Sequence, residues 1–598
     1  MVENKHKNDA ALTYWGENLN IESPLPEYPR PQLWRQSFFS LNGVWSYAVR
    51  NAFSGLPDYY DGEIVVPYTP ECVLSGIYES IAVSRAFWYR KYIVLPKNFN
   101  PENKVILNFG AVSQCCTVYL NGIPCGVHDG GYTAFSIDIT SYLTKKENVL
   151  EVEVYSQAEK GEYSYSYQRV TPAGNCHTIQ SGIWKTVWLE SVPHNYIKNV
   201  KTTPLYDQSS VIFQITAAAP LNADIRISEN GLLVARGTCD KDGFCKVKLR
   251  TFRSWTPEKP FLYDVRICLD EDTIETYFGM RKFSYIKDDK GHLRFALNNE
   301  PYFISGISSK GLWSDGLYTP AADQALIADV VNARNMGFNT LRLAGKVEAM
   351  RFYYHCDRIG MLVWQDFPYG GQNVSPRYTQ KLPCMGLKKL DDTKYRHFGR
   401  KSHDGRGAFL SEMNETIQEL YSSVCVAIWG IFNEGQGQFD ALQMCEKVWA
   451  ADPTRLVDHA SGWHDQGGSD IKSCHCFKDG IHLKADGRLL ILSAFGGFSL
   501  ADKEHITTKT PYSFRNVNND NALACAMKNT YEKQVLPLIA KGLTGCIYAQ
   551  LTDVEEEVNG LFTFDRRWAK QDEKDIAALN LELFSEFRDI LVELTEKQ

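Results

Sequence analysis

In the first third of the chain, apolar and polar residues alternate in short bursts, as in Gly43-Val44-Trp45-Ser46-Tyr47, Lys91-Tyr92-Ile93-Val94-Leu95, Thr117-Val118-Tyr119-Leu120 and Val149 to Val154. A period of two sends successive side chains to opposite faces, as strands covering a core on one side require. Asn121-Gly122, directly after one burst, is a hairpin turn signal. Closely spaced strands of this kind from Trp34 to Pro193 predict a β-sandwich, with the domain taken as residues 1–193. A second β-rich stretch, with Val211-Ile212-Phe213-Gln214-Ile215 and Tyr263 to Leu269, has the length of an immunoglobulin-like sandwich and is assigned 194–286.

After Lys287 the rhythm changes. Apolar runs at 303–306, 339–342, 361–364, 426–429, 456–458, 471–474, 489–492 and 545–548 alternate with helical stretches such as Ala322 to Met336, Gly407 to Leu420, Phe439 to Ala451 and Ala522 to Ala540. Eight such runs predict a (β/α)8 barrel over residues 287–598. No internal repeat or low-complexity tract interrupts it.

Composition narrows the function classes. Of 598 residues, 64 are Lys or Arg and 71 are Asp or Glu, and a net charge of −7 argues against a nucleic-acid partner. No apolar run is long enough for a membrane span. Met1 to Asp9 are mostly polar with no apolar secretion core behind them, so a cytoplasmic location is expected, with the 16 scattered cysteines as reduced thiols. The aromatic share of 13% suits strands and also sites that stack sugar rings.

A barrel of this type carries its site at the C-terminal ends of its strands. The fourth run ends in Asn433-Glu434, and a carboxyl group there can serve as a general acid. Arg342 and Gln550 stand at the ends of the second and eighth runs, and Asp366 closes the third, as a pocket residue or as half of an ion pair. His459, Trp463 and His464 crowd the end of the fifth, either as a sugar-facing wall or as a loop closed by its own hydrogen bonds. Cys474-His475-Cys476 has zinc-ligand residue types, but strand alternation sends both cysteines one way and His475 the other, which makes His475 a sugar contact and leaves no metal site. The acidic turn of Asp553, Glu555, Glu556 and Glu557 reads as solvated.

Several quoted segments resemble glycoside hydrolase family 2, the β-galactosidase, β-glucuronidase and β-mannosidase group, along nearly the whole chain. They are Leu41-Asn42-Gly43-Val44-Trp45, Ser181-Gly182-Ile183-Trp184 through Glu190, Lys346-Val347-Glu348, Cys356-Asp357-Arg358-Ile359-Gly360 through Asp366, Asn433-Glu434-Gly435 and Phe495-Gly496-Gly497. The resemblance implies a jelly-roll sugar-binding-type sandwich, an immunoglobulin-like domain and a barrel whose two glutamates act on a glycoside without an organic cofactor. It places the acid/base on Glu434, a 2-hydroxyl contact on Asn433 and the nucleophile at position 494. That position holds Ala494 inside an intact Ser493…Phe495-Gly496-Gly497 frame. Alanine cannot form the glycosyl ester, so the chain as written is expected to be inactive or trapped, whether through a replacement made to hold a substrate or through natural loss. Ala344, Phe477 and Ala549 also depart from residues common in relatives. Glu557-Val558-Asn559 lacks the cation that grips a uronic acid, so a terminal neutral β-linked sugar, galactose by default, is the expected substrate. A non-catalytic carbohydrate-binding protein is the alternative, and a homo-oligomer is possible.

Overall fold

Strand alternation in the first region produces two facing antiparallel sheets. The computed structural model describes residues 11–595 apart from 145, 220, 221, 373, 388, 503 and 507, so the polar start Met1 to Asp9 lies outside the described residues. One sheet has six strands, among them Gly43–Asn51, Arg85–Ile93 and Asn148–Tyr155, and the other has four, including Lys104–Phe109 and Val187–Val192. Their inward residues, such as Trp45, Phe87, Tyr89, Leu107, Val118 and Val152, form one core. The second region is a three-stranded sheet against a four-stranded one, with Phe213, Ile225, Val265 and Ile267 between them.

The next strand, Phe283–Lys287, spans the expected boundary at 286/287 and pairs with Leu293–Leu297. This hairpin closes the bottom of the barrel: Arg294 Nη1 donates to Leu543 O at 2.8 Å and Phe295 N to Thr544 Oγ1 at 2.8 Å.

All eight expected barrel strands form: β1 (Ile304–Ser309), β2 (Thr340–Leu343), β3 (Leu362–Asp366), β4 (Val426–Asn433), β5 (Leu456–Ser461), β6 (Ile471–Cys476), β7 (Leu489–Gly496) and β8 (Leu543–Ala549). The parallel ladder runs 5-4-3-2-1-8-7-6. Among the described residues no ladder joins β5 to β6; Asp470 N donating to Val457 O at 3.2 Å and Ser473 Oγ to Ala460 O at 3.2 Å bridge that seam. Crossover helices α1 (Asp323–Asn335), α2 (Met350–Ile359), α3 (His403–Leu420), α4 (Ala441–Ala451), α5 (Asp520–Thr530) and α6 (Glu573–Thr595) follow β1 to β4, β7 and β8. Residues 462–470 after β5 and 477–488 after β6 form loops instead. Their Gly467-Gly468, Asp479-Gly480 and Asp486-Gly487 pairs favour turns over helix. Side-chain caps start two helices: Ser402 accepts from Gly405 N at α3 and Asn519 from Ala522 N at α5. Among the described residues no helix is long and apolar enough to cross a membrane.

The first sandwich sends a loop over the barrel mouth. Tyr165 N and Ser166 N both donate to Tyr369 O, at 3.0 and 2.7 Å, and Ser164 N and Oγ both donate to Glu412 Oε2.

Candidate active site

Glu434 follows β4 in a left-handed conformation, φ +55°, which turns the chain out of the strand at the barrel mouth. Its N–H donates to Ser461 O on β5 at 2.8 Å, and Trp463 Nε1 donates to its carbonyl at 2.9 Å. The carboxyl group, 14% exposed, is the most accessible part of an otherwise buried cluster. Arg342, at 2% exposure, organises that cluster from β2. Its Nε and Nη2 donate to Asp366 Oδ2 at 3.0 and 2.8 Å, Nη2 also to Asn433 Oδ1 at 3.1 Å, and Nη1 to Ser493 O at 2.8 Å. The remaining Nη1 hydrogen faces His475 Nε2 at 3.2 Å. All five guanidinium hydrogens are therefore engaged.

The protonation of His475 follows from this. A guanidinium can only donate, so Nε2 of His475 presents its lone pair, and the proton of the neutral ring sits on Nδ1. Nδ1 lies 3.3 Å from Glu434 Oε1 and has no hydrogen-bond partner. Burial pushes the imidazole below its ordinary range and Glu434 only partly offsets it, in keeping with a neutral ring. Burial alone would raise the Glu434 carboxyl, but His475, then Lys310 and Arg342, outweigh it and hold the group below its ordinary value.

Strands β6 and β7 pair His475 with Ala494. Paired residues on neighbouring strands point to the same side, so the Ala494 methyl enters the barrel mouth beside the imidazole. Phe477, edge-on to His475 at 6.2 Å and stacked on Phe514 at 4.8 Å, makes an apolar wall next to it. Gln550, after β8, donates through Nε2 to Asn559 Oδ1 at 3.2 Å and is buried.

Arg342, Asp366, Asn433, Glu434, Trp463 and His475 are thus brought together, and Asp366 is both pocket floor and ion-pair partner. His459 and His464 are not. His459 Nδ1 contacts Ser469 Oγ at 2.7 Å and its Nε2 accepts from Gln466 N at 2.9 Å, inside its own loop. His464 contacts Tyr378 O through Nε2 at 2.8 Å and backs Gly435. The loop after β5 is therefore closed by its own hydrogen bonds at His459, while His464 is tied to Tyr378 and Trp463 reaches Glu434. Strand parity gives the reason: on β5 the inward position is Asp458, level with Gly430, and His459 faces outward. Burial pushes Asp458 up to about 6, partly offset by His459, Ser473 and Arg342, with Asp366 adding to the rise.

Other residues enter unannounced. Tyr167, from the sandwich loop, accepts a hydrogen bond on its hydroxyl from Asn433 Nδ2 at 2.6 Å. Lys310, directly after β1, is paired with Glu557, contacts His177 Nε2 at 3.0 Å and lies 4.3 Å from the Tyr167 ring centre. Glu557 is 2% exposed and Asp553, paired with Lys570 at 2.6 Å, is 7% exposed, so two members of the acidic turn read as solvated are in fact buried ion-pair partners. A separate cavity of about 300 Å³ lies between the three domains, lined by Arg30, Lys185, Trp188, Val200 and Glu419 and by none of the cluster residues.

Comparison with known proteins gives matches along the same three regions. Residues 78–185 match a glycosyl hydrolase 2 galactose-binding domain-like family, 195–281 glycosyl hydrolases family 2, and 290–479 the family 2 TIM barrel domain. A putative β-glucuronidase of Formosa agariphila is 28% identical over 57% of this chain and 44% of its own length. A β-galactosidase of Thermoanaerobacter pseudethanolicus is 27% identical over 56% of this chain and 47% of its own length. The chain thus spans less than half the length of these curated relatives. Among solved structures, a β-D-glucuronidase for Dictyoglomus thermophilum superposes with a TM-score of 0.71 at 17% identity, covering 93% of this chain and 98% of that one. That likeness establishes the shared fold.

Proposed function

The chain belongs to glycoside hydrolase family 2, and from that premise we propose that its barrel mouth takes the non-reducing end of a neutral β-linked sugar, with Glu434 as acid/base and no nucleophile at position 494. The scaffold is that of an exo-glycosidase, and its relatives are named for both β-galactosidase and β-glucuronidase activity. One observation carries the reading. Glu434 is fixed at the mouth by Ser461 and Trp463, while the residue of β7 paired with His475 is Ala494. Without a carboxylate there, the glycosyl ester of a retaining mechanism has no atom to form on. A neutral sugar is supported by Lys310, whose charge is already neutralised by Glu557 rather than left for a uronate. Neither group requires an organic cofactor, and the reduced thiols of a cytoplasm suit the unpaired cysteines.

Ala494→Glu tests the proposal. Loss of a nucleophile costs on the order of 10⁴–10⁶ in turnover, so its restoration is expected to return aryl β-galactoside hydrolysis by about that factor. No gain in nitrophenol release overturns the reading. Azide supplied to the unaltered chain is expected to enter the space over Ala494 and yield the inverted α-glycosyl azide.

A second reading, sugar binding without turnover, is favoured by the 2.6 Å Asn433–Tyr167 contact together with Phe477 and Ala549. Calorimetry of simple sugars against the chain and Ala494→Glu separates the two: binding by both with hydrolysis by neither supports it.

A further inference from the structure

We infer that the cavity between the three domains is a binding site for a free α-amino acid with an apolar side chain, its carboxylate on Lys185 and its ammonium group on Glu419. The site lies outside the barrel mouth and is independent of the reading above.

The cation is placed by the close approach of two segments. Gly110 leaves the stem of Lys185 its path, since a Cβ at 110 would stand 2.6 Å from Lys185 Cβ. The side chain, 6% exposed, lines the cavity; its Nζ donates to Tyr132 O at 2.9 Å and lies 4.7 Å from the Trp184 ring centre. An ammonium group has three hydrogens, and two of these have no acceptor among the described residues. Arg30 and Arg351, also on the wall, each hold a carboxylate, Glu190 at 2.7 Å and Asp323 at 2.6 Å. Among the described residues no carboxylate pairs with Lys185, and a buried charge without a partner is costly.

Glu419 on α3 supplies the opposite sign. It is half-buried, one oxygen accepts from Ala134 N at 3.2 Å, and the other has no hydrogen-bond partner among the described residues. Burial lowers the Lys185 ammonium and raises the Glu419 carboxyl, and each group is the largest influence opposing the shift of the other. The two charges thus sense each other without forming an ion pair, and both line the cavity. A molecule that joins them must accept from one and donate to the other.

The rest of the wall selects among such molecules. Leu25, Leu33, Val200 and Leu326 contribute apolar surface, against which the hydroxyls of a sugar would lose their water partners. A zwitterion keeps its polar groups at one end and meets both charges with charge-assisted hydrogen bonds, about twice as strong as neutral ones. A water molecule takes up about 30 Å³, so a cavity of about 300 Å³ has room for about ten non-hydrogen atoms. Leucine, methionine and phenylalanine are of this size.

Calorimetry and thermal unfolding of the full chain with these three L-amino acids test the site, against isovalerate, which lacks the ammonium group, isoamylamine, which lacks the carboxylate, and galactose. At least one amino acid is expected to bind with a Kd of about 1 mM or tighter and to raise the Tm. Lys185→Met and Glu419→Gln are each expected to weaken it at least about tenfold, and each half-ligand should bind at least about tenfold more weakly than the best amino acid. Should Lys185→Met fail to fold, Glu419→Gln, a change at a half-buried position, decides alone. No heat and no Tm change with any of the three at about 10 mM overturns the inference. So does a half-ligand that binds as tightly as the best amino acid, or an affinity unchanged in either folded variant. Galactose binding that Glu419→Gln abolishes, with no amino acid bound, makes the cavity a sugar site and overturns it as well.

Discussion

The two sides of the barrel mouth are built differently. On the side of β2, β3, β4 and β6, Arg342, Asp366, Asn433 and His475 form a network in which every guanidinium hydrogen has an acceptor. On the side of β7, the chain presents a methyl group, with the Ser493 carbonyl as its link to that network. In a pair of catalytic carboxylates, each charge raises the pKa of the other. Here the acid side closes on itself instead. A saturated arginine needs nothing from position 494, which is why the pocket keeps its wall without the second carboxylate.

Three measurements test that contrast. The largest effect is expected from Arg342→Met, which strands Asp366 as a buried, uncompensated charge and should cost about 3–5 kcal/mol in denaturant unfolding. Arg342→Met combined with Asp366→Leu should recover most of the loss. If the single variant is as stable as the parent, the acid side is not held by this network.

Asp458 is the exception on the same side, because neither of its oxygens has a hydrogen-bond partner. Its folded pKa, about 6, lies above the ordinary 3.8. The folded state therefore holds the proton more tightly, and the associated stability is complete below pH 3.8 and lost as pH rises through 6. The shift corresponds to about 3 kcal/mol, so Asp458→Asn should be more stable than the parent by up to that amount at pH 8, with the difference vanishing near pH 4. The groups facing Asp458, namely His459, Ser473, Arg342 and Asp366, remain in place in the variant. Equal stability at pH 8 would mean that Asp458 has found a partner.

The smallest effect is expected on the other side. Ala494→Ser adds a single hydroxyl at the barrel mouth and should change unfolding stability by about 0.5 kcal/mol or less. A large loss would show that β7 is as tightly packed as the acid side.

Much of this architecture was legible in the residues. The eight barrel strands were visible as apolar runs because strands buried on both faces have few other compositions available. The strand ends supplied Arg342, Asp366, Asn433, Glu434 and His475, since polar residues there have a mouth to face. Parity on β5 was also legible: His459 and Asp458 are neighbours in one strand, so only one of them can face inward. Tyr167 was not legible. It sits in a loop without periodicity and meets Asn433 across 266 residues of chain, a contact no local pattern encodes. Lys310 and Glu557 were hidden for the same reason, since a charged residue after a strand looks solvated until its partner arrives from another loop.

The missing ladder between β5 and β6 has a dynamic consequence. Glu434 hangs from Ser461 on the β5 bank, while His475 and, through β7, Ala494 belong to the opposite bank. Ser461 Oγ meets His475 Nε2 across the gap at 3.1 Å. Because two strand edges here meet through side chains and a single backbone bond, the banks can part by a fraction of an ångström without breaking any rung. The spacing between Glu434 and the imidazole that governs its charge is therefore set at the softest line in the barrel wall, and a molecule lodged across that line would act as a wedge or as a clasp.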